Sequence, residues 1–269
     1  MDTNTANART ANAAAPQAAG PAMVRVEDLS IGFDSTVIQH DLNFEVLAGE
    51  VLVICGGSGS GKSTLLRCLI GLQPPSSGRV LFGERDLYAS DPATLAALRR
   101  EFGVTFQAGA LWSSMTVGEN VMLPLQLFTA MDPEQREQEA RFKLALVGLD
   151  TSFDLEPAAL SGGMKKRAAI ARALALNPAL VFLDEPSAGL DPLSSADLDA
   201  LILHLQQDLG TTVVMVSHEL ESIFSVADRV LLLDASKKTM TALGPPRELQ
   251  ASDDAYTHAF FKRRGVETA

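Results

Sequence analysis

Nine consecutive residues, Gly56-Gly-Ser-Gly-Ser-Gly61-Lys62-Ser63-Thr64, constrain the fold of this chain more than any other stretch. They follow a continuous apolar run, Val51-Leu-Val-Ile-Cys55, and open a segment with helical patterning, Lys62 to Gly71. A short apolar run of that kind marks a strand buried on both faces. Glycines placed between such a strand and a helix let successive backbone N–H groups turn toward one anion, and the helix N-terminus adds its positive end. The match to G-x-x-x-x-G-K-[ST] is complete, in the strand–loop–helix context that gives the motif meaning. Gly56, Gly57, Ser58, Gly59, Ser60 and Gly61 are expected to wrap phosphate. Lys62 is placed to neutralise the β and γ phosphates, Ser63 to offer its hydroxyl to Mg²⁺, and Thr64 to complete the set.

The rest of the chain supplies partners for that strand. Alternation predicts strands over Val24–Ile31, Thr36–Ile38 and Leu42–Val46, the last two joined by a polar turn, and another over Arg79–Phe82. Asp91 and Pro92 read as the N-cap and first residue of a helix reaching Phe102. Residues 116–150 carry helical stretches broken by Pro124 and Pro133, and Ser161–Leu176 reads as one helix. Three more buried-strand candidates follow, Ala179–Leu183, Thr212–Val216 and Arg229–Leu233, with helices at 193–209 and 219–226 between them. Strands alternating with helices imply right-handed crossovers and a mostly parallel sheet, so the fold class is α/β. Residues 108–172 contribute helices without strands and read as an inserted helical subdomain. Residues 1–22, rich in Ala, Asn and Thr, are expected to form a disordered tail. The main domain is expected over 23–250, with a C-terminal extension over 251–269, in which Lys262-Arg-Arg264 reads as a solvated face.

Charge and hydropathy narrow the function classes. The net charge is −11. Gripping a nucleic-acid backbone needs a basic face, so no nucleic-acid partner is expected. No apolar run approaches the roughly 18 residues of a membrane span, and the first 22 residues lack the apolar stretch of a secretory signal. A soluble intracellular protein is expected, with any membrane role exercised through a partner. Two cysteines, Cys55 and Cys68, are too few for a disulfide framework and read as small buried hydrophobes.

A second strand carries acid. Ala179-Leu-Val-Phe-Leu183-Asp184-Glu185 ends in two carboxylates, which a parallel sheet would place at its ligand edge. Asp184 is suited to hold Mg²⁺ and Glu185 to accept a proton from attacking water. Leu160-Ser161-Gly162-Gly163-Met164 opens another helix, with Ser161 as N-cap, and forms a second anion-binding helix start. Two cradles in one chain are economically explained by a dimer in which each copy closes over its partner's nucleotide.

With these residues in this order, the chain resembles the ATP-binding cassette (ABC) family of P-loop NTPases over about residues 24–250. Leu160–Met164 resembles the family signature, with Met164 where Gln is usual. Phe106-Gln107 resembles the Q-loop, Ser187-Ala-Gly-Leu-Asp191 the D-loop, and Val216-Ser-His218 the switch histidine. The resemblance implies a parallel core with an antiparallel β subdomain and an inserted helical subdomain. It implies a homodimer that sandwiches ATP and Mg²⁺. Ser63, Gln107 and Asp184 would serve the metal, and Glu185, His218 and Gln107 the hydrolysis. Ser161, Gly162, Gly163 and Asp191 would complete the partner's site. An adenine-stacking aromatic is implied at Phe33, against a core role for that residue.

The resemblance leaves open a cassette ATPase of another ABC transporter or transporter-like complex, or a soluble non-transport cassette ATPase, but two stretches suggest a branch. Phe106-Gln-Ala-Gly-Ala-Leu-Trp112-Ser-Ser-Met-Thr-Val-Gly-Glu-Asn-Val121 and Leu160-Ser-Gly-Gly-Met-Lys-Lys-Arg167 resemble the cassette subunit of Mla-type phospholipid transporters, which work with MCE lipid-carrier proteins. That implies a place on the cytoplasmic face of a bacterial inner membrane. Membrane permease subunits would dock near Leu111, Trp112 and Met115; the alternative is that these three side chains fold inward on the helical subdomain.

Overall fold

The computed structural model describes residues 20–33 and 36–262. A six-stranded sheet lies at the centre, built from β3 (Val51–Gly56), β6 (Phe102–Thr105), β7 (Leu180–Asp184), β8 (Thr212–Val216), β9 (Arg229–Asp234) and β10 (Thr239–Gly244). Their order is β10-β9-β3-β8-β7-β6. All neighbours are parallel except β10, which runs antiparallel to β9. Strands β3 and β8 are buried along their whole length, as expected of parallel strands covered on both faces. A second, antiparallel sheet comprises β1 (Ala22–Phe33), β2 (Thr36–Leu47), β4 (Ser77–Phe82) and the short β5 (Arg85–Asp86).

Helix α1 (Lys62–Leu69) leaves the glycine-rich loop and packs between the two sheets. Helix α2 (Pro92–Leu98) starts where expected, with Asp91 capping the Ala93 and Thr94 N–H groups. Helices α3 (Val117–Phe128), α4 (Pro133–Leu146) and α5 (Gly162–Ala173) share one apolar cluster, which continues into the face of the sheet lined by Val181, Val213 and Met215. Helices α6 (Pro192–Gln207), α7 (Leu220–Val226), α8 (Pro246–Gln250) and α9 (Ala255–Phe261) follow among the described residues.

Several expectations give way here. Thr36–Leu47 is one strand, without a turn. The interruption is a bulge: Leu29 pairs with Leu42 and Ile31 with Gln39, and Asp41 takes a left-handed φ of 54°. Phe102 begins a strand instead of ending a helix, and β10 was not foreseen. Pro124 lies inside α3 without ending it, whereas Pro133 occupies the first turn of α4. The expected tail of 1–22 lies outside the described residues up to position 19; β1 already begins at Ala22. Of Lys262-Arg-Arg264, only Lys262 is described, and it is exposed. Of the expected C-terminal extension over 251–269, residues 251–262 are described. Phe261 is 1% exposed and packs edge-on against Phe224 of α7. Phe261→Ala should therefore cost about 3–5 kcal/mol. Thermal melting of the purified variant checks this, and a separate tail would leave the melting temperature unchanged.

Candidate nucleotide site

The parallel register gathers the expected residues at one edge. Ile54 pairs with Val216, Val216 with Asp184, and Thr105 with Leu183. The C-terminal ends of β3, β6, β7 and β8 thus lie side by side. From them leave the glycine-rich loop, Phe106-Gln107, Asp184-Glu185 and Ser217-His218 in turn. This is the position at which open α/β sheets bind ligands.

The loop is tightly built. Gly56, Gly59 and Gly61 have φ of 149°, 75° and 86°. A Cβ at Gly56 would lie 2.5 Å from the Leu233 carbonyl and 2.6 Å from Ser60 Oγ, so no other residue fits there. Gly57, Ser58 and Gly59 face outward, whereas Ser60 and Thr64 are buried. Lys62 arches back over the loop, its ammonium donating to the carbonyls of Gly56 at 3.0 Å and Gly57 at 3.1 Å. Beneath the loop lies a residue that sequence reasoning missed. Gln39, fully buried in β2, donates through Nε2 to the carbonyls of Ser60 at 2.9 Å and Asp234 at 3.1 Å. It ties the antiparallel sheet to the phosphate loop.

The acidic edge is equally convergent. Ser63 Oγ donates to Asp184 Oδ1 at 3.4 Å. Gln107 Nε2 donates to Glu185 Oε2 at 3.0 Å, and His218 Nδ1 lies 3.2 Å from Glu185 Oε1. One carboxylate is thus held by both side chains expected to work with it. Glu185 takes a φ of 47°, a left-handed conformation that costs a non-glycine residue about 1–2 kcal/mol. Its N–H is paired with the Val216 carbonyl at 3.1 Å. Burial, followed by the neighbouring charge of Glu185, pushes the Asp184 carboxyl above its ordinary value. A carboxylate raised in this way, beside a serine hydroxyl and the phosphate loop, suits a cation that arrives with a polyphosphate. Among the described residues no cluster of three or more His, Cys, Asp or Glu could hold a metal unaided. Burial likewise pushes the Cys68 thiol up to about 12, and the Cys55 thiol higher, so both are inert packing residues.

The remaining predicted residues lie on other elements, and among the described residues no contact joins Ser161, Gly162, Gly163 or Asp191 to the glycine-rich loop. Phe33 ends β1 with 51% of its surface exposed, which removes the core reading. Ser161 caps α5 by accepting from the Met164 N–H at 3.2 Å, and Gly162 and Gly163 form its first turn. Met164 is half-buried against the helical cluster. Asp191 caps α6, accepting from the N–H groups of Leu193 and Ser194. The loop after Gln107 is pinned by Arg172 of α5, whose guanidinium donates to the carbonyls of Gly109 at 2.9 Å and Ala110 at 2.7 Å.

A model of the ABC transporter family matches residues 39–188. The chain belongs to the ABC transporter family. Its relatives include the methionine import ATP-binding protein MetN of Rhizobium johnstonii, 41% identical over 82% of this chain and 60% of that protein. The same-named protein of Xanthomonas axonopodis pv. citri is 44% identical over 79% of this chain and 63% of that protein. The probable ribonucleotide transport ATP-binding protein mkl of Mycobacterium leprae is 36% identical over 90% of this chain and 70% of that protein. The chain spans about three-fifths of the length of the methionine import relatives. Among solved structures, the ATP-binding cassette MJ0796, a post-hydrolysis dimer bound to ADP and Pi, superposes with a TM-score of 0.75 at 30% identity, covering 83% of this chain and 98% of that one. The protein cbiO1 of Clostridium perfringens, part of the cbiONQ transporter complex, reaches 0.78 at 29% identity, covering 86% of this chain and 91% of that one. The cassette fold inferred from sequence is thereby established. The phospholipid branch is not supported: the names carried by these relatives concern methionine and ribonucleotides.

Of the three residues Leu111, Trp112 and Met115, the inward reading holds for the first and last and not for Trp112. Leu111 packs against the helical cluster and Met115 is half-buried, but the Trp112 side chain is 59% exposed. Its backbone is held by buried Asn120 of α3. Asn120 Oδ1 accepts the Trp112 N–H at 2.8 Å, and Nδ2 donates to the carbonyls of Trp112, Met115 and Thr116. Trp112→Ala should therefore change stability by no more than about 0.5 kcal/mol. Asn120→Ala strands several backbone groups and should cost about 2 kcal/mol or more. Melting curves of the two variants check the contrast.

Proposed function

We propose that this chain is the ATP-hydrolysing cassette of a membrane transporter and works as a homodimer that closes around two ATP molecules. The observation that carries the reading is the Glu185 carboxylate, held between Gln107 and His218 at the edge that also bears Lys62 and Ser63. In this reading Lys62 and the N–H groups of Gly57–Ser63 bind phosphate, and Phe33 offers its exposed ring to adenine. Ser63, Asp184 and Gln107 would hold Mg²⁺, which would supply positive charge against the phosphates. Glu185 accepts the proton of the attacking water, and His218 orients that water against the γ-phosphate. Ser161, Gly162 and Gly163 meet the γ-phosphate bound to the partner copy, with Asp191 nearby. Phosphoryl transfer is mostly positioning and charge stabilisation, so this set suffices.

No helix among the described residues is long and apolar enough to cross a membrane, so in this reading transport requires permease subunits. The exposed ring of Trp112 is the proposed anchor for them. The relatives' names favour a small solute of the methionine class as cargo. A second reading, phospholipid with an MCE-type partner, rests on the Phe106–Val121 and Leu160–Arg167 stretches. Identifying the permease that co-purifies with the chain, and the cargo it moves, decides between the two.

Glu185→Gln should keep ATP binding, lower turnover about 10²-fold or more, and accumulate as a dimer with ATP. Adding Ser161→Arg, which places a bulky cation in the cradle, should return it to monomer. Phosphate release and light scattering read both outcomes. Wild-type turnover in Glu185→Gln would falsify the base assignment.

A further inference from the structure

Helix α5 does more than present Ser161. One turn along from its cap, the Lys166 ammonium donates to the Glu185 carbonyl at 3.1 Å and to the Ala188 carbonyl at 2.7 Å. The Ala188 N–H in turn bonds to the Glu185 carbonyl at 3.3 Å, so Lys166 clips a closed turn from both of its carbonyl ends. This is the turn that holds Glu185 at its left-handed φ of 47°. The far end of the same loop touches the start of α5. A Cβ on Gly162 would lie 3.6 Å from Leu190 Cδ2, and one on Gly163 would lie 3.6 Å from Ser194 Cβ. Residues 185–194 are therefore in contact with α5 both at its N-terminus and one turn further in.

We infer that Lys166 is a positioning residue which couples the two ATP sites of the dimer, by linking the helix that meets the partner's nucleotide to the turn that aims Glu185 at this chain's own. The inference rests on the sandwich dimer proposed above. When the α5 cap is drawn onto the partner's γ-phosphate, a rigid helix carries the shift to the Lys166 ammonium. Two carbonyl acceptors pass it to the backbone of Glu185. No side chain of the catalytic edge has to move independently. The ammonium is half-buried and lies within the fields of the Glu185 and Glu219 carboxylates. Burial pushes it down from the ordinary lysine value, and those two charges oppose the fall. A neutral side chain of the same length would keep the packing of the stem but lose the clip.

The test uses the full chain with ATP and Mg²⁺. Lys166→Met should lower kcat about tenfold or more, with ATP affinity within twofold and the melting temperature unchanged. The Hill coefficient for ATP should fall from about 2 toward 1. Lys166→Arg, which restores a cation with donors, should recover most of both. Unchanged kcat and cooperativity in Lys166→Met would overturn the inference. So would equal losses in the Met and Arg variants accompanied by a lowered melting temperature, the signature of a merely structural lysine. A Glu185→Gln chain that stays monomeric with ATP, beside a wild-type chain that does not hydrolyse it cooperatively, would overturn the sandwich reading, and the coupling with it.

Discussion

Val216 pairs with Ile54 on one side and with Asp184 on the other, and on that register the rest of the site depends. Slipping either ladder by one residue would turn every side chain of the strand to the opposite face. Here slippage is opposed from both sides, because the two faces of the sheet are filled by different apolar sets. Val53, Val181 and Val213 belong to the cluster shared with the helical subdomain, and Leu52, Phe182 and Val214 to the cluster under the antiparallel sheet. The alignment of the glycine loop, Glu185 and His218 is thus a consequence of core packing several residues below them.

Onto this rigid edge the structure adds long-range polar ties, each directed at a backbone carbonyl. Gln39 holds the phosphate loop from below, Arg172 holds the segment after Gln107, and Lys166 holds the turn of Glu185. Loops that must form around a ligand cannot be secured by apolar burial without losing access to it. Side-chain donors to carbonyls secure the backbone and leave its N–H groups and functional side chains available. Two of these three ties originate on α5, so the helical subdomain and the edge that carries Glu185 cannot move freely of one another.

What the sequence made legible follows from locality. The phosphate loop, the Asp184-Glu185 strand end and the caps at Asp91 and Ser161 are each written in a few adjacent residues, and each lies where it was expected. From sequence Gln39 falls in a polar turn, because its burial depends on the bulge at Asp41 and on a carbonyl 21 residues away. Strand β6 has only four residues and borrows its identity from neighbours. Its Phe102 packs against Phe182, and a Cβ at Gly103 would lie 2.3 Å from the Ala173 carbonyl. Helix α9 is not legible within the expected C-terminal extension because the partner of Phe261 is Phe224, on a helix 37 residues earlier. Lys166 sat in a run of basic residues, and only the tertiary fold separates its role from that of Lys165.

The acidity of the chain raises a physical question about the proposed substrate, since a net charge of −11 should repel a polyphosphate. Screening answers it. At physiological ionic strength the field of an exposed charge decays over about 8 Å, so the surface carboxylates act mainly on their own surroundings. At the site the balance is local. Lys62 lies over the loop, its charge and that of Arg67 both pull the Asp184 carboxyl down, and the first turn of α1 adds unpaired N–H groups. The Asp184-Glu185 pair opposes them, which favours a nucleotide that brings its own divalent cation over one that arrives bare. The same acidity that would weaken a nucleic-acid binder is therefore compatible with this site, because its selectivity is set within one Debye length of the loop.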